Sequence, residues 1–246
     1  MKIKCVFNDS LCFSINSDLE EYRISSIFEK EPETIAWIDS FCNSNSVFYD
    51  IGANIGIYTL YMNYKNPMMQ MFCFEPVQNN FNSLQNNIIL NGAKNVHPFN
   101  IALSNNNMIT NLFISDTRNG NSGAQILAPI NEKGESFEAK KIEKILSFSL
   151  DYLVNNLNFP QPNFIKIDVD GHENEILDGM KVTLGNEQLK SLLIEFNDDN
   201  QFEKWHSVFN KIGLFIDEKF DNLPNNSSLR RSLKGSATRN YIFHRK

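Results

Sequence analysis

The stretch VFYDIGANIGIYTL, residues 47–60, starts as an apolar strand and then turns into a segment of small and polar residues. Its acid, amide and glycine positions are Asp50, Gly52, Asn54 and Gly56. Glycine at the end of a buried strand lets the backbone approach a ligand closely, and the helix that follows offers free N–H groups. A tight strand-to-helix turn without any ligand would also need small residues. Other parts of the sequence distinguish the two interpretations.

The composition is that of a globular protein. With 246 residues, the chain can form one large α/β domain or a domain with a small appendage. The net charge of −6 argues against a nucleic-acid-binding protein. No apolar run reaches the ~18 residues that span a bilayer, and Asn8, Asp9 and Ser10 interrupt the start too early for a secretory signal. We therefore expect a cytoplasmic protein without a membrane span, as a monomer or an oligomer.

The four cysteines are scattered along the chain at Cys5, Cys12, Cys42 and Cys73. They lack the CxxC spacing of a zinc site, and they lie in segments that the pattern predicts as strand or helix. Four buried thiols are therefore expected rather than two disulfides.

Short apolar runs alternate with longer helical stretches from residue 47 onward, which is typical of βαβ units on a parallel sheet. Strands are predicted at 47–51, 70–75, 96–101, 163–169 and 190–196. Helices are predicted at about 56–65, 78–91, 171–184 and 200–212. The last two strand-like runs, 213–220 and 240–246, have no helix between them and should form an antiparallel pair.

Two segments lie outside this alternation. Residues 1–45 predict a short hairpin (KIKCVF and LCFSI) and a helix over roughly 20–41, packed on the core. Residues 46–246 then form the main domain, with an insertion at 104–150 that is rich in Asn and Gly and contains the strand-like pieces NLFIS and KILSFSL. Because this insertion is longer than packing requires, we expect it to carry part of the function.

The turn after the first strand favours one kind of ligand. Gly52 and Gly56 are separated by three residues, so the spacing differs from the GxGxxG pattern of pyrophosphate-binding turns. Asp50 stands just before the turn and would repel a pyrophosphate. A carboxylate suits a ligand with an ammonium or a sulfonium group, and S-adenosylmethionine (SAM) carries both. The turn, including Asn54, therefore predicts a SAM site.

The next two strands end in residues that can complete such a site. Glu75 ends the second strand about 20 residues after the turn, where a carboxylate can bind both hydroxyls of an adenosine ribose. Asn100 ends the third strand, within reach of an adenine. Each feature alone is common in α/β proteins. Their order and spacing favour a cofactor site over a structural coincidence.

The fourth strand ends in FIKIDVDGHE, residues 164–173, where acids follow a buried run. Asp168 comes directly after this run and beside the first strand, so it is a candidate for both cofactor binding and catalysis. His172 can take a proton from a hydroxyl near neutral pH, although a histidine at a helix start is at least as often a surface residue. Asp170 and Glu173 can instead form an N-cap and a capping box.

The fifth strand, LLIEFN, places an acid inside an apolar run. Glu195 is costly to bury without a partner. Together with Asp168 and Asn197, it forms a set of oxygen ligands that could hold a divalent metal ion, which would lower the pKa of an acceptor hydroxyl. Alternatively, Glu195 accepts backbone N–H bonds from the neighbouring turn. The sequence leaves both possibilities open.

Five motifs in a fixed order carry a family resemblance: DIGANIG, FEPVQNN, NIALSN, KIDVDGHE and LLIEFN. They cover roughly residues 45–200, and the chain resembles the FkbM-type SAM-dependent methyltransferases. The resemblance implies a Rossmann-like class I α/β fold with a mostly parallel seven-stranded sheet whose last strand is reversed. It also implies O-methylation, commonly of sugars or polyketide-type hydroxyls. The resemblance carries over Asp50, Gly52, Asn54, Gly56 and Glu75 as cofactor residues, and Asp168 and Glu195 as strand-end acids.

The chain departs from the family pattern at two positions. Asp170 and His172 stand where Glu and a small residue are frequent, so the resemblance does not support His172 as a base. The chain also lacks an NPPY-like turn after the fourth strand, which amide and base N-methyltransferases often use. We therefore rank N-methylation below O-methylation.

The acceptor is predicted from two polar segments. Arginine forks suit phosphate, and a basic cluster in this acidic chain, which could also be a solvated loop, contains Arg230, Arg231, Lys234 and Arg239. Sugar hydroxyls could be bound by the insertion residues Asn119, Asn121, Ser122 and Gln125. We expect a SAM-dependent O-methyltransferase of a phosphorylated or nucleotide-linked sugar in bacterial surface-glycan, such as capsular polysaccharide, biosynthesis. The alternatives are another small-molecule hydroxyl and a SAM-binding protein without catalysis.

Overall fold

The computed structural model describes residues 2–41, 45–131, 133–197, 199–221 and 239–246. The strands of these parts are β1 (Lys2–Val6), β2 (Leu11–Ile15), β3 (Val47–Ile51), β4 (Gln70–Phe74), β5 (Val96–Phe99), β6 (Ala102–Leu103), β7 (Met108–Ile114), β8 (Gln125–Ile126), β9 (Lys141–Phe148), β10 (Phe164–Ile167), β11 (Ser191–Phe196), β12 (Leu214–Ile216) and β13 (Arg239–Arg245). The helices are α1 (Asp18–Ser25), α2 (Ile27–Lys30), α3 (Pro32–Asp39), α4 (Ile57–Lys65), α5 (Gln78–Leu90), α6 (Leu150–Asn156), α7 (Glu173–Asp178), α8 (Lys181–Gly185), α9 (Asp199–Lys211) and α10 (Glu218–Asp221).

A seven-stranded sheet forms the centre of the protein, in the order β12-β13-β11-β10-β3-β4-β5. β13 runs antiparallel to both of its neighbours, and the pairs from β11 to β5 are parallel. The predicted Rossmann-like sheet with a reversed last strand is confirmed. The strand order reverses between β10 and β3, which is where open α/β sheets bind their ligands. The predicted strand 213–220 is shorter, because it ends at Ile216 and continues into α10.

The central strands bury side chains on both faces of the sheet. Since successive side chains of a strand point to opposite faces, Tyr49 and Ile165 contribute to one apolar cluster, while Phe48 belongs to the other. Two polar residues on neighbouring strands, Asp50 and Lys166, lie opposite each other in register. Their alternation places both on the same face as Phe48, the face that the N-terminal segment covers.

The N-terminal segment consists of the predicted hairpin and, in place of one long helix, the three helices α1, α2 and α3. The break before α3 coincides with Pro32, which fits the first turn of a helix but not its interior. Phe13 and Trp37 are fully buried in the same cluster as Met71 of the central sheet. The Trp37 indole also donates to Ser191 Oγ over 2.9 Å. A domain boundary at residue 45 stays a prediction.

The prediction of four free thiols is wrong. The hairpin register places Cys5 directly opposite Cys12, with the Cα atoms 4.0 Å apart, and the two form a disulfide. Sequence spacing does not reveal this pair, because the opposition depends on the turn that joins β1 to β2. Cys73 is a buried free thiol, and Cys42 lies outside the described residues.

The 104–150 insertion contains most of a second sheet, ordered β6-β9-β7-β8. The strand-like pieces NLFIS and KILSFSL lie in and beside β7 and β9. Leu112 and Ile145 bury their side chains in a separate apolar cluster with Val77. Between β7 and β8, residues 117–123 form an irregular bridging segment that returns to the carboxyl edge of the large sheet. Among the described residues, no helix has the length and apolar character that crossing a membrane requires.

Candidate active site

A cavity of about 340 Å³ opens at the carboxyl edge of the large sheet, where the strand order reverses. Its floor consists of the β3–α4 turn and the ends of β10 and β11. Helices α1 and α2 form one wall, and Gly120 and Ser122 of the bridging segment form another. Elements from four distant parts of the sequence therefore meet at this site.

The β3–α4 turn has a conformation that requires glycine. Gly52 has a φ of +82°, and a Cβ atom there would lie 2.0 Å from the carbonyl oxygen of Asp168. Its N–H and that of Ala53 both donate to the Phe74 carbonyl over 3.0 Å. Gly56 caps α4 with a φ of +85°. Gly52 therefore allows the turn to contact the end of β10, and Gly56 allows α4 to approach Leu84. The predicted role of the two glycines toward a cofactor stays a prediction.

Asp50 has one carboxylate oxygen that is left without a donor. Its Oδ2 accepts a hydrogen bond from Thr59 Oγ1 over 2.6 Å. Its Oδ1 is buried and has no hydrogen-bond partner among the described residues. Burial raises the pKa of Asp50, and the charge of Lys166 opposes this shift. A cationic ligand group in the cavity would satisfy the free oxygen.

Lys166 was not singled out in the sequence, yet it is central to the site. Its side chain is almost fully buried, and its Nζ lies 2.9 Å from Asp168 Oδ2. Burial alone would lower the pKa of Lys166, but the charges of Asp168, Asp50 and Glu31 raise it. Burial would likewise raise the pKa of Asp168, but Lys166 is the main cause that holds it below its ordinary value. Both groups are therefore charged at neutral pH.

The strand-end acids form a cluster with a third member that the sequence did not indicate. One carboxylate oxygen each from Glu31, Asp168 and Glu195 lies within 4.8 Å of the others. Asn197, predicted as a metal ligand, instead donates its amide to Glu173 Oε2 over 3.4 Å. The cluster has the oxygen ligands that a divalent ion uses. However, lysine ammonium groups lie 2.9 Å from Glu31 and 2.9 Å from Asp168 and already balance much of its charge.

Glu75 ends the second central strand in a nearly buried position, with 4% of its surface exposed. Its Oε2 accepts the N–H of Asn54 over 2.8 Å, and its Oε1 accepts the N–H of Val77 over 2.9 Å. Burial raises its pKa to about 7, against the effect of these N–H groups. Asn100 does not line the cavity, because its amide donates to the carbonyls of Glu75 and Pro76 over 2.8 and 3.0 Å. Asn100 thus fixes the loop that carries Glu75.

A second, apolar cavity of about 40 Å³ lies beside the Glu75 loop. Gly52 lines both cavities, so the two adjoin at the β3–α4 turn. The small cavity is lined by Phe74, Pro76 and Ile101, among other apolar side chains. Its apolar lining can contact a face of an adenine ring, but a space of this volume does not hold the whole ring.

His172 does not line the larger cavity. Its Nε2 accepts the backbone N–H of Ile126 over 3.3 Å, and its Nδ1 lies 3.8 Å from a carboxylate oxygen of Glu175. It also occupies the N-cap of α7, where the sequence suggested Asp170. The structure therefore gives His172 contacts that position α7 against β8, and the residue lines the small apolar cavity. Its role as a base stays a prediction.

Asp170 and Glu173 brace the loop that follows β10. Asp170 has a φ of +52°, and its Oδ2 accepts the N–H of Gly123 over 2.9 Å. Glu173 is fully buried, and its Oε1 accepts the N–H of Gly171 over 3.0 Å. Burial raises the pKa of Glu173 to about 8.

Of the predicted acceptor residues that the structure describes, Ser122 alone lines the larger cavity. The amide groups of Asn119, Asn121 and Gln125 donate to other parts of the protein and hold the bridging segment in place. Arg230 and Arg231 lie outside the described residues. The N-terminal helices, in contrast, supply the unpredicted residues Tyr22, Arg23 and Lys30 to the cavity wall. No local motif marks these positions, since only the tertiary fold brings them to the site.

Comparison with known proteins gives the family. The family described as "Methyltransferase FkbM domain" matches residues 50–227, which is most of the chain. The chain belongs to the FkbM methyltransferase family. The resemblance seen in the sequence is thereby confirmed, and with it the expected cofactor, SAM.

Two curated relatives of this FkbM family member align with part of its length. "Methyltransferase 1" of Beauveria bassiana is 27% identical over 146 residues, covering 55% of this chain and 59% of that protein. "Hexuronic acid methyltransferase AglP" of Haloferax volcanii is 28% identical over 169 residues, covering 68% of this chain and 63% of that protein. The chain therefore spans about three fifths of the length of either relative.

Solved methyltransferase structures also align with the FkbM family member. The alignment with precorrin-6y C5,15-methyltransferase from Geobacter metallireducens covers 83% of this chain and 79% of that protein, at 13% identity and a TM-score of 0.48. The alignment with TrmK from M. capricolum, in complex with S-adenosylhomocysteine, covers 86% of this chain and 67% of that protein, at 12% identity and a TM-score of 0.46.

The site of this FkbM protein fits SAM. Asp50, whose Oδ1 has no hydrogen-bond partner among the described residues, lines a cavity whose acidic floor suits an ammonium and a sulfonium group. Glu75 lines neither cavity, but its chain neighbours Phe74 and Pro76 line the small apolar one. SAM brings a methyl group that is already activated by the sulfonium charge. The protein has to bind and orient it and to receive the acceptor.

Proposed function

We propose that this FkbM methyltransferase transfers the methyl group of SAM to a hydroxyl oxygen of a sugar. The observation that carries the proposal is the carboxylate of Asp168, which lines the cavity 2.9 Å from the buried ammonium of Lys166. The 28% identical relative named as a hexuronic acid methyltransferase supports a carbohydrate acceptor.

The chemistry assigned to the residues is simple. In an in-line displacement, the bond from the methyl carbon to sulfur breaks as the bond to the acceptor oxygen forms, and the hydroxyl loses its proton. Asp168 is ionised and can accept that proton, with Glu195 beside it in the cluster. Because the sulfonium needs little activation, we expect most of the rate enhancement to come from orienting the acceptor.

The finer part of the proposal concerns how the acceptor is presented. We propose a phosphorylated or nucleotide-linked sugar of a bacterial surface-glycan pathway, methylated in the cytoplasm. The acidic cavity floor would repel a phosphate, so the phosphate would bind outside the floor. The basic residues Arg230 and Arg231 suggested from the sequence are suited to that task.

A screen for methyl transfer tests the proposal. The purified protein is incubated with SAM and a panel of sugars and nucleotide sugars, including UDP-glucuronate and UDP-glucose, and the products are analysed by mass spectrometry. We expect S-adenosylhomocysteine and a methylated sugar to appear together. Asp168→Asn is the matched control, because it keeps the side-chain shape and removes the charge.

Two outcomes would change the assignment. If no S-adenosylhomocysteine forms with any hydroxyl acceptor, the protein is a SAM-binding protein without catalysis. If only non-carbohydrate hydroxyls are methylated, the enzyme class stands and the sugar acceptor is wrong.

A further inference from the structure

The larger cavity is lined by acids and by cations. Its floor carries the acids Asp50, Asp168 and Glu195, which come from the central strands, together with Lys166, whose ammonium lies 2.9 Å from Asp168. Its wall carries the cations Arg23 and Lys30, which come from helices α1 and α2. The acids can accept the positive groups of SAM. Lys166 and Lys30 already pair with Asp168 and Glu31, whereas Arg23 forms no ion pair among the described residues.

The geometry of Arg23 leaves most of its guanidinium available. Its Nε donates to the carbonyl of Gly120 over 2.6 Å, which fixes the side chain against the bridging segment. Its Nη1 and Nη2 make no hydrogen bond within the described residues, although the side chain is half-buried. A second anchor holds α1 itself, because Ser17 Oγ donates to the carbonyl of Asn119 over 2.5 Å. The free edge of the guanidinium is therefore held in a defined position at the cavity wall.

Lys30 is close enough to Arg23 for the two charges to interact. Glu31 raises the pKa of Lys30, while the positive charge of Arg23 acts in the opposite direction. Two cations that repel each other at a cavity wall favour an anion between them. A planar carboxylate matches the two-nitrogen edge of an arginine better than it matches a lysine.

We propose that Arg23, assisted by Lys30, binds the α-carboxylate of SAM. The α-carbon of SAM carries an ammonium and a carboxylate together, so its site needs an acid and a base within one small space. The floor acids and the helix cations meet that need in a single cavity. The proposal rests on the SAM-binding part of the function proposed above and does not depend on the acceptor.

The assignment makes the N-terminal segment part of the cofactor site. Arg23 lies before residue 50, where the match to the FkbM family begins. The disulfide-linked hairpin and α1 would then hold a cofactor residue in addition to covering the core.

Calorimetric binding of two ligands tests the role of Arg23. SAM is compared with decarboxylated SAM, which keeps the sulfonium and the ammonium but lacks the carboxylate. Arg23→Gln keeps an N–H donor for Gly120 and removes the charged fork. We expect the wild-type protein to prefer SAM over its decarboxylated form by about 10- to 100-fold, and Arg23→Gln to lose that preference by weakening SAM alone.

Arg118→Gln is the matched control. Arg118 also joins α1 to the bridging segment, through Asp18 over 2.9 Å, but it is exposed and does not line the cavity. Its replacement should leave both affinities within about twofold.

Three results would overturn the proposal. A wild-type protein that binds the two ligands equally well has no carboxylate site, whatever the variants do. An equal loss of both ligands in Arg23→Gln, or no loss of either, would give Arg23 a purely structural role or a role toward the acceptor. The calorimetric test contains no acceptor, so its result can be interpreted even if no methyl transfer is found in the screen. A wild-type protein that binds no SAM would contradict both proposals.

Discussion

Two pairs of buried acids lie at the same edge of the central sheet, and the protein treats them differently. Asp50 and Asp168 share the buried ammonium of Lys166. Glu75 and Glu173 are bound mainly by amide N–H groups, and burial raises their pKa values to about 7 and about 8. The comparison teaches that burial alone does not decide whether a carboxylate is charged. Lys166 holds the pKa of Asp168 below its ordinary value, and it opposes, without reversing, the rise in pKa that burial causes at Asp50.

The acids also differ in where they lie relative to the larger cavity. Asp168 lines the cavity and stays ionised, as a group that receives a proton or faces a cation must. Glu173 is fully buried outside the larger cavity, where a neutral carboxyl costs less than a charged one. Glu75 lies between these cases, because ribose hydroxyls would supply the extra donors that favour its charged form.

The largest expected effect comes from removing the shared cation. Lys166→Met would leave Asp50 and Asp168 buried without a counter-charge, which should lower the free energy of unfolding by about 3–5 kcal/mol. Lys65→Met is the control, since Lys65 pairs with Asp39 over 2.8 Å at the surface and should cost less than about 1 kcal/mol. Urea unfolding at neutral pH measures both. If both variants lowered the free energy of unfolding equally, Lys166 would not be the group that compensates the charge of Asp50 and Asp168.

The second prediction is a pH dependence that Glu173 causes. Burial raises its pKa to about 8 in the folded protein, against an ordinary value of 4.5. Between these values the folded state keeps the proton that the unfolded state has lost, so stability falls as pH rises through this window. The contribution is about 1.4 kcal/mol per pH unit. Glu173→Gln should remove that part of the slope in urea unfolding between about pH 5 and 8, and an unchanged slope would contradict the raised pKa.

The third prediction separates the two amide-bound acids by function. Glu75→Gln should weaken SAM binding by about 1–3 kcal/mol, because the charged acceptor for the ribose hydroxyls is lost. Glu173→Gln, which removes a similarly buried acid, should leave SAM affinity unchanged. Calorimetry with both variants compares them directly. A loss of SAM affinity in both would mean that the substitutions act through the fold of this edge.

The smallest expected effect is that of a chelator. Lys30 and Lys166 already lie against two of the three acids in the Glu31, Asp168 and Glu195 cluster. We therefore expect the rate of methyl transfer to stay the same in EDTA. If EDTA lowered the rate and Mg²⁺ restored it, a metal ion and not the two lysines would balance the charge of the cluster.

Local patterns predicted the framework of the fold and the placement of several strand-end residues. The alternation of apolar runs and helical stretches marks the sheet, because the period of side chains along a strand or helix is a local property. The glycine turn and the acids Asp50 and Asp168 directly follow or end such runs, so their place at one edge could be foreseen. The roles of individual residues toward SAM and the acceptor stay predictions.

The remaining parts of the site depend on tertiary contacts that leave no local signal. Lys166 is one charged residue inside an apolar strand, and only its register opposite Asp50 shows its purpose. Arg23 lies in α1 and Glu31 between α2 and α3, where no motif marks them, and the chain brings them to the sheet edge through folding. The amides of Asn119 and Asn121 looked suited to a sugar, but the first donates to Ser83 Oγ and the second to the Arg118 carbonyl, so both hold the bridging segment in place.

The contacts of the bridging segment determine when the site is completed during folding. Its contacts join residues far apart in the chain: Arg23 with Gly120 at a separation of 97, Ser17 with Asn119 at 102, and Asn54 with Asn121 at 67. Closing such long loops costs chain entropy before any contact rewards it. The β3–β4, β4–β5 and β10–β11 pairs can form earlier, over shorter separations. β3 and β10, whose ends form the cavity floor, are themselves at least as far apart in the chain as the bridging contacts. The cofactor pocket is therefore expected to be completed late in folding, and to be among the first parts to open when the native state fluctuates.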